Sequence, residues 1–103
     1  MKVTWHPEAT KGRRQIVSYI RRRFGIKYVK DFRQEVDQTV KLLSCSPNIG
    51  SIDPLFSNRS KTYRSLIING LSKMVYFVEN DTIYIAAFWD TRMEPQAQAS
   101  KIK

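Results

Sequence analysis

Several residue types that would indicate a particular chemistry are scarce in this chain. One cysteine, Cys45, excludes an internal disulfide, and one histidine, His6, leaves no Cys/His spacing typical of a zinc site. The nine acidic residues are scattered and form no calcium-binding loop. The four glycines form no phosphate-binding loop, which argues against a nucleotide-hydrolysing enzyme. We therefore expect no metal and no cofactor, and we predict His6 to be a helix cap or a surface residue.

Long apolar segments are also missing. No apolar run approaches the roughly 18 residues needed to span a bilayer, and residues 1–10 lack the apolar core of a signal peptide. A single cysteine fits a reducing compartment. The sequence thus predicts a cytoplasmic protein without a membrane partner. With 42% hydrophobic residues over 103 positions, the chain suits one globular domain.

Positive charge is abundant and unevenly distributed. The formal net charge is +9, and residues 1–34 hold ten Lys or Arg against two acids, whereas residues 35–103 hold eight against seven. Such a field attracts polyanions, such as RNA, DNA or an acidic protein. The same charge can equally be a solvated helix face that keeps the protein soluble. Charge alone does not separate these two interpretations.

Hydrophobic periodicity predicts two helices in the first half of the chain. The first runs from about Pro7 to Phe24, because proline suits a first helical turn and one apolar face continues up to Gly25. The second runs from about Tyr28 to Leu43, where apolar residues return at spacings of four, four, four and three. A short turn joins these amphipathic helices, so we expect an antiparallel helical hairpin.

Four short segments have the composition of β-strands, at residues 2–5, 62–69, 73–79 and 82–89. Asn69-Gly70 is typical of a tight hairpin turn, whereas residues 46–60, rich in Pro, Ser and Asn, are predicted to be a loop. The order β-α-α-β-β-β predicts an α+β domain in which the helical hairpin packs on an antiparallel β-sheet. We assign residues 1–95 to this single domain and residues 96–103 to a flexible C-terminal tail.

Five basic residues lie on or beside the C-terminal strands of this sheet: Arg59, Lys61, Arg64, Lys73 and Arg92. In an antiparallel meander they can converge into one pocket that holds phosphates, with Tyr63, Tyr76 or Trp89 available for base stacking. A structural alternative is that Arg64 pairs with Glu79 or Asp90 across strands. Asp90 can likewise serve only to fix Arg92. For the group as a whole, the excess of basic over acidic residues favours binding.

Three stretches of the sequence carry a family resemblance. They are "VTWHPEA", the paired helices "IVSYIRRRFG" and "FRQEVDQTVKLLSCSPNIG", and the strand region "YRSLIINGLSKMVYFVENDTIYIAAFWDTRMEP". The most specific parts are P-x-I-G after the second helix, the strand opening Y-R-S-L-I-I and the ending F-W-D-T-R-x-x-P. In order and spacing, residues 3–95 resemble the RelE/ParE superfamily of bacterial toxins from type II toxin–antitoxin modules.

This resemblance implies a helical hairpin packed on a curved antiparallel β-sheet. It also implies a partner, a neutralising antitoxin that wraps the toxin as an extended, partly helical segment. Members of the RelE branch cleave messenger RNA in the ribosomal A site, whereas members of the ParE branch lack the nuclease and inhibit DNA gyrase. The implied target is therefore either the ribosome with its messenger RNA or DNA gyrase.

The resemblance also defines the predicted site residues. Arg64 matches the family's strand arginine in position, and Lys73 lies where many nuclease members carry an arginine on the following strand. The predicted catalytic group is Arg64, Lys73, Asp90 and Arg92. The predicted nucleic-acid-binding group is Arg59, Lys61, Tyr63 and Trp89.

The end of the last strand departs from the nuclease pattern. Nuclease members commonly present a histidine or tyrosine there for proton transfer, where this chain has Asp90, Thr91 and Arg92. The other proton-transfer candidates are Glu79, Tyr63 and Tyr84. This departure favours a ParE-like, gyrase-directed toxin that arrests growth. The alternatives are a RelE-like, metal-independent endoribonuclease acting on ribosome-bound messenger RNA, and a basic nucleic-acid-binding domain without toxicity.

Overall fold

The computed structural model describes residues 1–102, and within them the chain forms three α-helices and a five-stranded sheet. The helices are α1 (Pro7–Phe24), α2 (Ile26–Cys45) and α3 (Pro95–Ala99). The strands are β1 (Lys2–Trp5), β2 (Ser51–Ile52), β3 (Arg64–Ile68), β4 (Ser72–Glu79) and β5 (Thr82–Asp90). A short 3-10 helix spans Pro54–Phe56. No helix in residues 1–102 is both long and apolar enough to cross a membrane.

The sheet has the order β1-β5-β4-β3-β2. Strands β2 to β5 pair antiparallel, and β1 pairs with β5 in parallel, so the sheet is mixed. The predicted α+β class and the order β-α-α-β-β-β are confirmed. Tight turns force antiparallel pairing between consecutive strands. No hairpin joins β1 to β5, so the sequence pattern left the direction of β1 undetermined.

Local signals explain the limits of the two long helices. α1 begins at Pro7 as predicted, and Nδ1 of His6 accepts a hydrogen bond from the backbone N–H of Glu8 (3.2 Å). His6 is therefore the N-cap of α1, as the sequence predicts. α2 begins at Ile26, two residues before the predicted start, and only Gly25 separates the helices. The predicted loop at residues 46–60 contains β2 and the 3-10 helix.

The two long helices cover one face of the sheet and form the main core with it. The buried residues of α2 are Val29, Phe32, Val36 and Leu43, and the strand residues of this core are Ile68, Met74, Tyr76, Ile83, Ile85 and Phe88. Burying one such apolar side chain fully stabilises the fold by about 1.5–3 kcal/mol. This face of the sheet therefore anchors the helical hairpin.

A hydroxyl within this core joins the loop after α2 to the sheet. The Tyr76 hydroxyl donates to the carbonyl oxygen of Pro47 (2.7 Å) and accepts from the backbone N–H of Gly50 (2.9 Å). A Cβ on residue 50 would lie 2.8 Å from the Tyr76 ring and 2.9 Å from the Ser65 carbonyl oxygen, so this close approach needs glycine. Burial raises the pKa of Tyr76 because it disfavours the charged phenolate.

The opposite face of the sheet is covered by the 3-10 helix and by residues 95–102. The buried residues of this second cluster include Phe56, Tyr63, Val75, Trp89, Ala99 and Ile102. The sequence predicts a loose tail at residues 96–103, whereas residues 95–99 form α3, and Ala99 and Ile102 are buried. The polar composition of the tail conceals these two apolar contacts. Flexibility of this segment in solution stays a prediction.

The backbones of α1 and β5 approach closely at Gly12. A Cβ placed on this residue would overlap the carbonyl oxygen of Phe88. Glycine in a helix interior normally costs about 1 kcal/mol relative to alanine. Here the missing side chain is what lets the helix lie against the strand.

We predict that Gly12→Ala lowers the free energy of unfolding by about 2 kcal/mol or more, because overpacking against a rigid backbone exceeds the gain in helix propensity. Urea unfolding followed by circular dichroism measures the change. Ser18→Ala, at an exposed position of the same helix, is the control and should change stability by less than about 0.5 kcal/mol. A neutral or stabilising Gly12→Ala would contradict the close approach.

Candidate functional site

Lys73 lies on the face of the sheet that the helices leave uncovered. Its Nζ is 2.7 Å from Oδ2 of Asp53, and the Asp53 side chain is only 3% exposed. The ammonium group also lies 5.4 Å from the centroid of the Trp89 ring. Oδ2 of Asp53 has no hydrogen-bond partner of good geometry among residues 1–102. The positive charge of Lys73 therefore balances the negative charge of this buried carboxylate. Lys73 is therefore held as half of a buried ion pair.

Arg59 and Lys61 lie on this same face and also have partners. The Arg59 guanidinium packs over the Phe56 ring and donates to the backbone carbonyl oxygens of Ala99 (3.0 Å) and Ile102. It therefore fixes the C-terminal segment to the sheet. Lys61 lies 4.3 Å from the centroid of the Phe77 ring, and its Nζ is 3.9 Å from the carboxylate of Glu79.

Tyr63 and Trp89, the predicted stacking residues, are buried. Their exposed fractions are 4% and 5%, and both rings pack against Phe56. A base cannot stack on rings that the protein itself covers. Stacking on these two residues is therefore not available in this structure, although both share a face with Lys61 and Lys73.

Arg64 begins β3 on the helix-covered side of the sheet, where its ladder partner is Tyr76. Its guanidinium donates to the carbonyl oxygen of Gly50 (2.8 Å) and, at a longer distance, to that of Asn48 (3.5 Å). These carbonyl oxygens belong to the loop after α2. No carboxylate in residues 1–102 lies within 4.0 Å of Arg64, so the predicted pairing with Glu79 or Asp90 is wrong.

Asp90 and Arg92 form a pair at the end of β5. The Arg92 guanidinium donates to both carboxylate oxygens of Asp90 (2.6 and 3.0 Å) and lies 5.1 Å from the centroid of the Tyr19 ring on α1. The hydrogen bond from the Arg92 side chain lowers the pKa of Asp90, and the carboxylate in turn raises the pKa of Arg92. The interpretation that Asp90 fixes Arg92 is thus confirmed by the contacts.

The predicted convergence of Arg64, Lys73 and Arg92 into one pocket is wrong. The ladder pairs Arg64 with Tyr76, three residues along β4 from Lys73, which separates the two by about 10 Å along the strand. Odd spacing also sends the two side chains to opposite faces. Arg92 follows β5 and turns toward α1. Each cation therefore has its own partner in a different part of the molecule.

A cavity of about 340 Å³ lies beside Asp90, between α1, the end of β5 and the C-terminal segment. Its lining includes Asp90 and Trp89 of the predicted site and the basic residues Lys11, Arg22 and Lys101, which the sequence reasoning missed. These residues come from a helix and a tail that the topology brings to the same strand end. The sequence signal for this arrangement was Gly12, a glycine inside an amphipathic helix, which lets α1 approach β5 closely.

Metal chemistry gains no support from the side chains. In the part of the chain that the structure describes, no three His, Cys, Asp or Glu residues are grouped as metal ligands would be. The predicted catalytic group thus consists of three cations with separate protein partners and one carboxylate, Asp90, whose pKa is lowered.

The architecture is that of a small α+β domain in which a two-helix hairpin packs on a mixed five-stranded sheet. The sequence matches the family "ParE toxin of type II toxin-antitoxin system, parDE" over residues 3–95. Because the match covers most of the chain, the chain belongs to this family, within the RelE/ParE superfamily of type II toxins. A comparison with curated proteins found no significant match.

Two solved structures share the fold. The "Chromosomal ParDE TA system from P. aeruginosa" aligns with a TM-score of 0.70 and 20% identity, over 87% of this chain and 95% of that chain. The YoeB dimer from Staphylococcus aureus aligns with a TM-score of 0.56 and 23% identity, over 84% of this chain and 92% of that chain. At these identities the likeness concerns the fold, which is the RelE/ParE-like fold that the resemblance implied.

We predict that Lys73→Met lowers the free energy of unfolding by about 3–5 kcal/mol, because it leaves the Asp53 carboxylate buried without a counter-charge. Asp53→Asn removes that charge and keeps the side-chain oxygen that accepts from the Leu55 N–H (3.0 Å). The double variant should therefore recover most of the loss in urea unfolding. A cost below about 1 kcal/mol for Lys73→Met would contradict the ion pair.

The same double variant separates a structural from a functional role of Lys73. If the lysine only neutralises Asp53, the folded double variant keeps the growth arrest that we propose below. If Lys73 has its predicted catalytic role, the double variant is stable and loses the activity.

We predict that Arg92→Ala raises the pKa of Asp90 toward its ordinary value of about 3.9. Because the folded-state pKa is lowered, the pair stabilises the fold above pH ~3.9 and this contribution is lost as the pH falls through the lowered pKa. An NMR titration of the side-chain carboxyl carbons measures the shift. Arg92→Lys keeps the charge and should retain part of the lowering. An unchanged Asp90 titration in Arg92→Ala would refute the coupling.

Proposed function

We propose that the chain is the toxin of a type II toxin–antitoxin pair and arrests growth by a ParE-like action on DNA gyrase, without cutting RNA. Membership of the ParE toxin family over residues 3–95 supports the toxin class. The observation that carries the finer assignment is the state of Asp90. Arg92 holds this carboxylate ionised and lowers its pKa, which makes it a weak proton acceptor at neutral pH.

The distribution of the cations supports the same proposal. Cleavage of RNA by attack of a 2′-hydroxyl needs a base and several cations around one phosphate. Arg64, Lys73 and Arg92 lie in three different places with three different partners. His6, the single imidazole, accepts a hydrogen bond as the cap of α1. Among residues 1–102, the three cations of the predicted catalytic group therefore do not gather around one base.

The alternative, a RelE-like ribosome-dependent nuclease, is favoured by one observation. Arg64 is bound only to carbonyl oxygens and has no carboxylate partner among residues 1–102, so its charge is available to a phosphate. Such a nuclease would still have to borrow its proton acceptor from the ribosome or from the RNA.

We further propose a cognate antitoxin as the protein partner. The family is that of toxins of a paired system, and the P. aeruginosa structure with the same fold is described as a ParDE system. Exposed apolar residues on the chain offer contacts for such a partner, among them Leu42, Ile52 and Ile67.

We predict that expression of the chain alone in bacteria arrests growth, and that the purified chain inhibits supercoiling by gyrase while transcripts stay intact. Plasmid topology on agarose gels and primer extension on messenger RNA measure the two activities. Ribosome-dependent cleavage that disappears in Arg64→Ala, with Lys41→Ala as an exposed control, would support the nuclease instead. Harmless expression of a chain shown to be folded would leave the non-toxic nucleic-acid-binding domain as the better assignment.

A further inference from the structure

A groove on the helical hairpin has four arginines among its seven lining residues. Its volume is about 410 Å³, and no strand residue takes part in its lining, which consists of Thr10, Arg13, Arg14, Val17, Ser18, Arg21 and Arg33. Six of these residues belong to α1 and the seventh belongs to α2, so the groove runs between the two helices.

These arginines are not neutralised as the cations of the sheet are. Arg13 has Asp37 at 3.9 Å, but the Asp37 side chain is 69% exposed, so this pair is weak. Within residues 1–102, no carboxylate lies within 4.0 Å of Arg14, Arg21 or Arg33. Like charges held together in a groove raise the local potential and attract a polyanion.

We propose that this groove binds the phosphate backbone of duplex DNA. Arg14 and Arg21 are seven residues apart on α1, which places them about 10.5 Å apart along the helix axis. That distance matches the rise of about three nucleotides of one strand. Arg33 adds a cation from α2. The guanidinium fork suits phosphate oxygens, and the hydroxyls of Thr10 and Ser18 can donate to them.

The lining argues against two other classes of polyanion, acidic helical peptides and single-stranded nucleic acid. An acidic peptide docked as a helix needs apolar anchors in its groove, and the only apolar lining residue here, Val17, is 8% exposed. Single-stranded nucleic acid needs aromatic rings on which bases stack, and the groove has none. A duplex needs only positioned cations, which this groove supplies.

This inference goes beyond the proposed function and does not depend on it. Binding is measured on the purified chain with DNA alone, in the absence of gyrase, ribosomes and antitoxin. Failure to inhibit gyrase would not contradict the proposed DNA site, and failure to bind DNA would not contradict the proposed target.

The test is fluorescence anisotropy with a labelled 20-base-pair DNA duplex of mixed sequence at 50 to 200 mM KCl. One phosphate contact for each of the four arginines in the groove predicts a slope of log affinity against log salt of about −3.6. Binding should then weaken ~150-fold between 50 and 200 mM KCl. Arg14→Ala/Arg21→Ala/Arg33→Ala should bring the slope to about −0.9. Because the three side chains are exposed, the melting temperature of this variant should equal that of the wild type. If the triple variant does not fold, Arg21→Ala alone should reduce the slope by about 0.9.

Lys2→Ala/Lys41→Ala/Lys101→Ala removes the same charge outside the groove and is the matched control. The slope measured for this control variant should differ from the wild-type slope of about −3.6 by less than about 1. Three results would overturn the proposal: no binding at 50 mM KCl, an equal loss in both triple variants, or tighter binding of a double-stranded RNA of the same sequence.

Discussion

The alternation of side chains along β-strands is the constraint that decides where this protein keeps its charge. Successive residues of β4 point to opposite faces of the sheet, and both faces are covered, one by α1 and α2 and the other by the 3-10 helix and the C-terminal segment. A cation that enters either layer must find an anion or a carbonyl oxygen, because a buried unpaired charge is costly. Lys73 therefore meets Asp53, and Arg59 meets the carbonyl oxygens of the C-terminal segment. Both cations therefore take part in the packing of this layer.

On the helical hairpin, by contrast, basic side chains do not need a protein partner. Its inner residues are apolar and buried, while its outer surface faces water, where unpaired arginines are hydrated at little cost. Most of the positive charge in residues 1–34 is carried by the two helices of this hairpin. Among residues 1–102, Arg14, Arg21 and Arg33 have no carboxylate partner, whereas Lys73 and Arg92 beside the sheet each have one. This distribution of charge supports our proposal that the protein acts on its target by binding.

The sequence predicted the helices, the three hairpin-linked strands and the fold class well, because hydrophobic periodicity and turn residues are local signals. Its prediction that the basic residues converge into one pocket failed for a physical reason. The partner of Lys73 is Asp53, which lies in the loop before the 3-10 helix and carries no local signal of its position. A bulge between Val75 and Tyr76 also shifts the register of β4 against β5, which a pattern of period two does not reveal. The pair of Asp90 and Arg92 was predictable because its members are two residues apart.

The motifs that carry the family resemblance have a structural explanation of their own. Pro47 and Gly50 of the P-x-I-G segment bind the Tyr76 hydroxyl, and Arg64 of the Y-R strand opening donates to the Gly50 carbonyl oxygen. Together they form a clasp that joins the end of the helical hairpin to the sheet. These residues of the family motifs therefore have contacts that hold the fold together. Because a fold does not fix a function, a shared clasp is compatible with targets as different as RNA and a topoisomerase. Surfaces outside the clasp must then contribute to the choice of target, and the arginine-containing groove of the hairpin is one such surface.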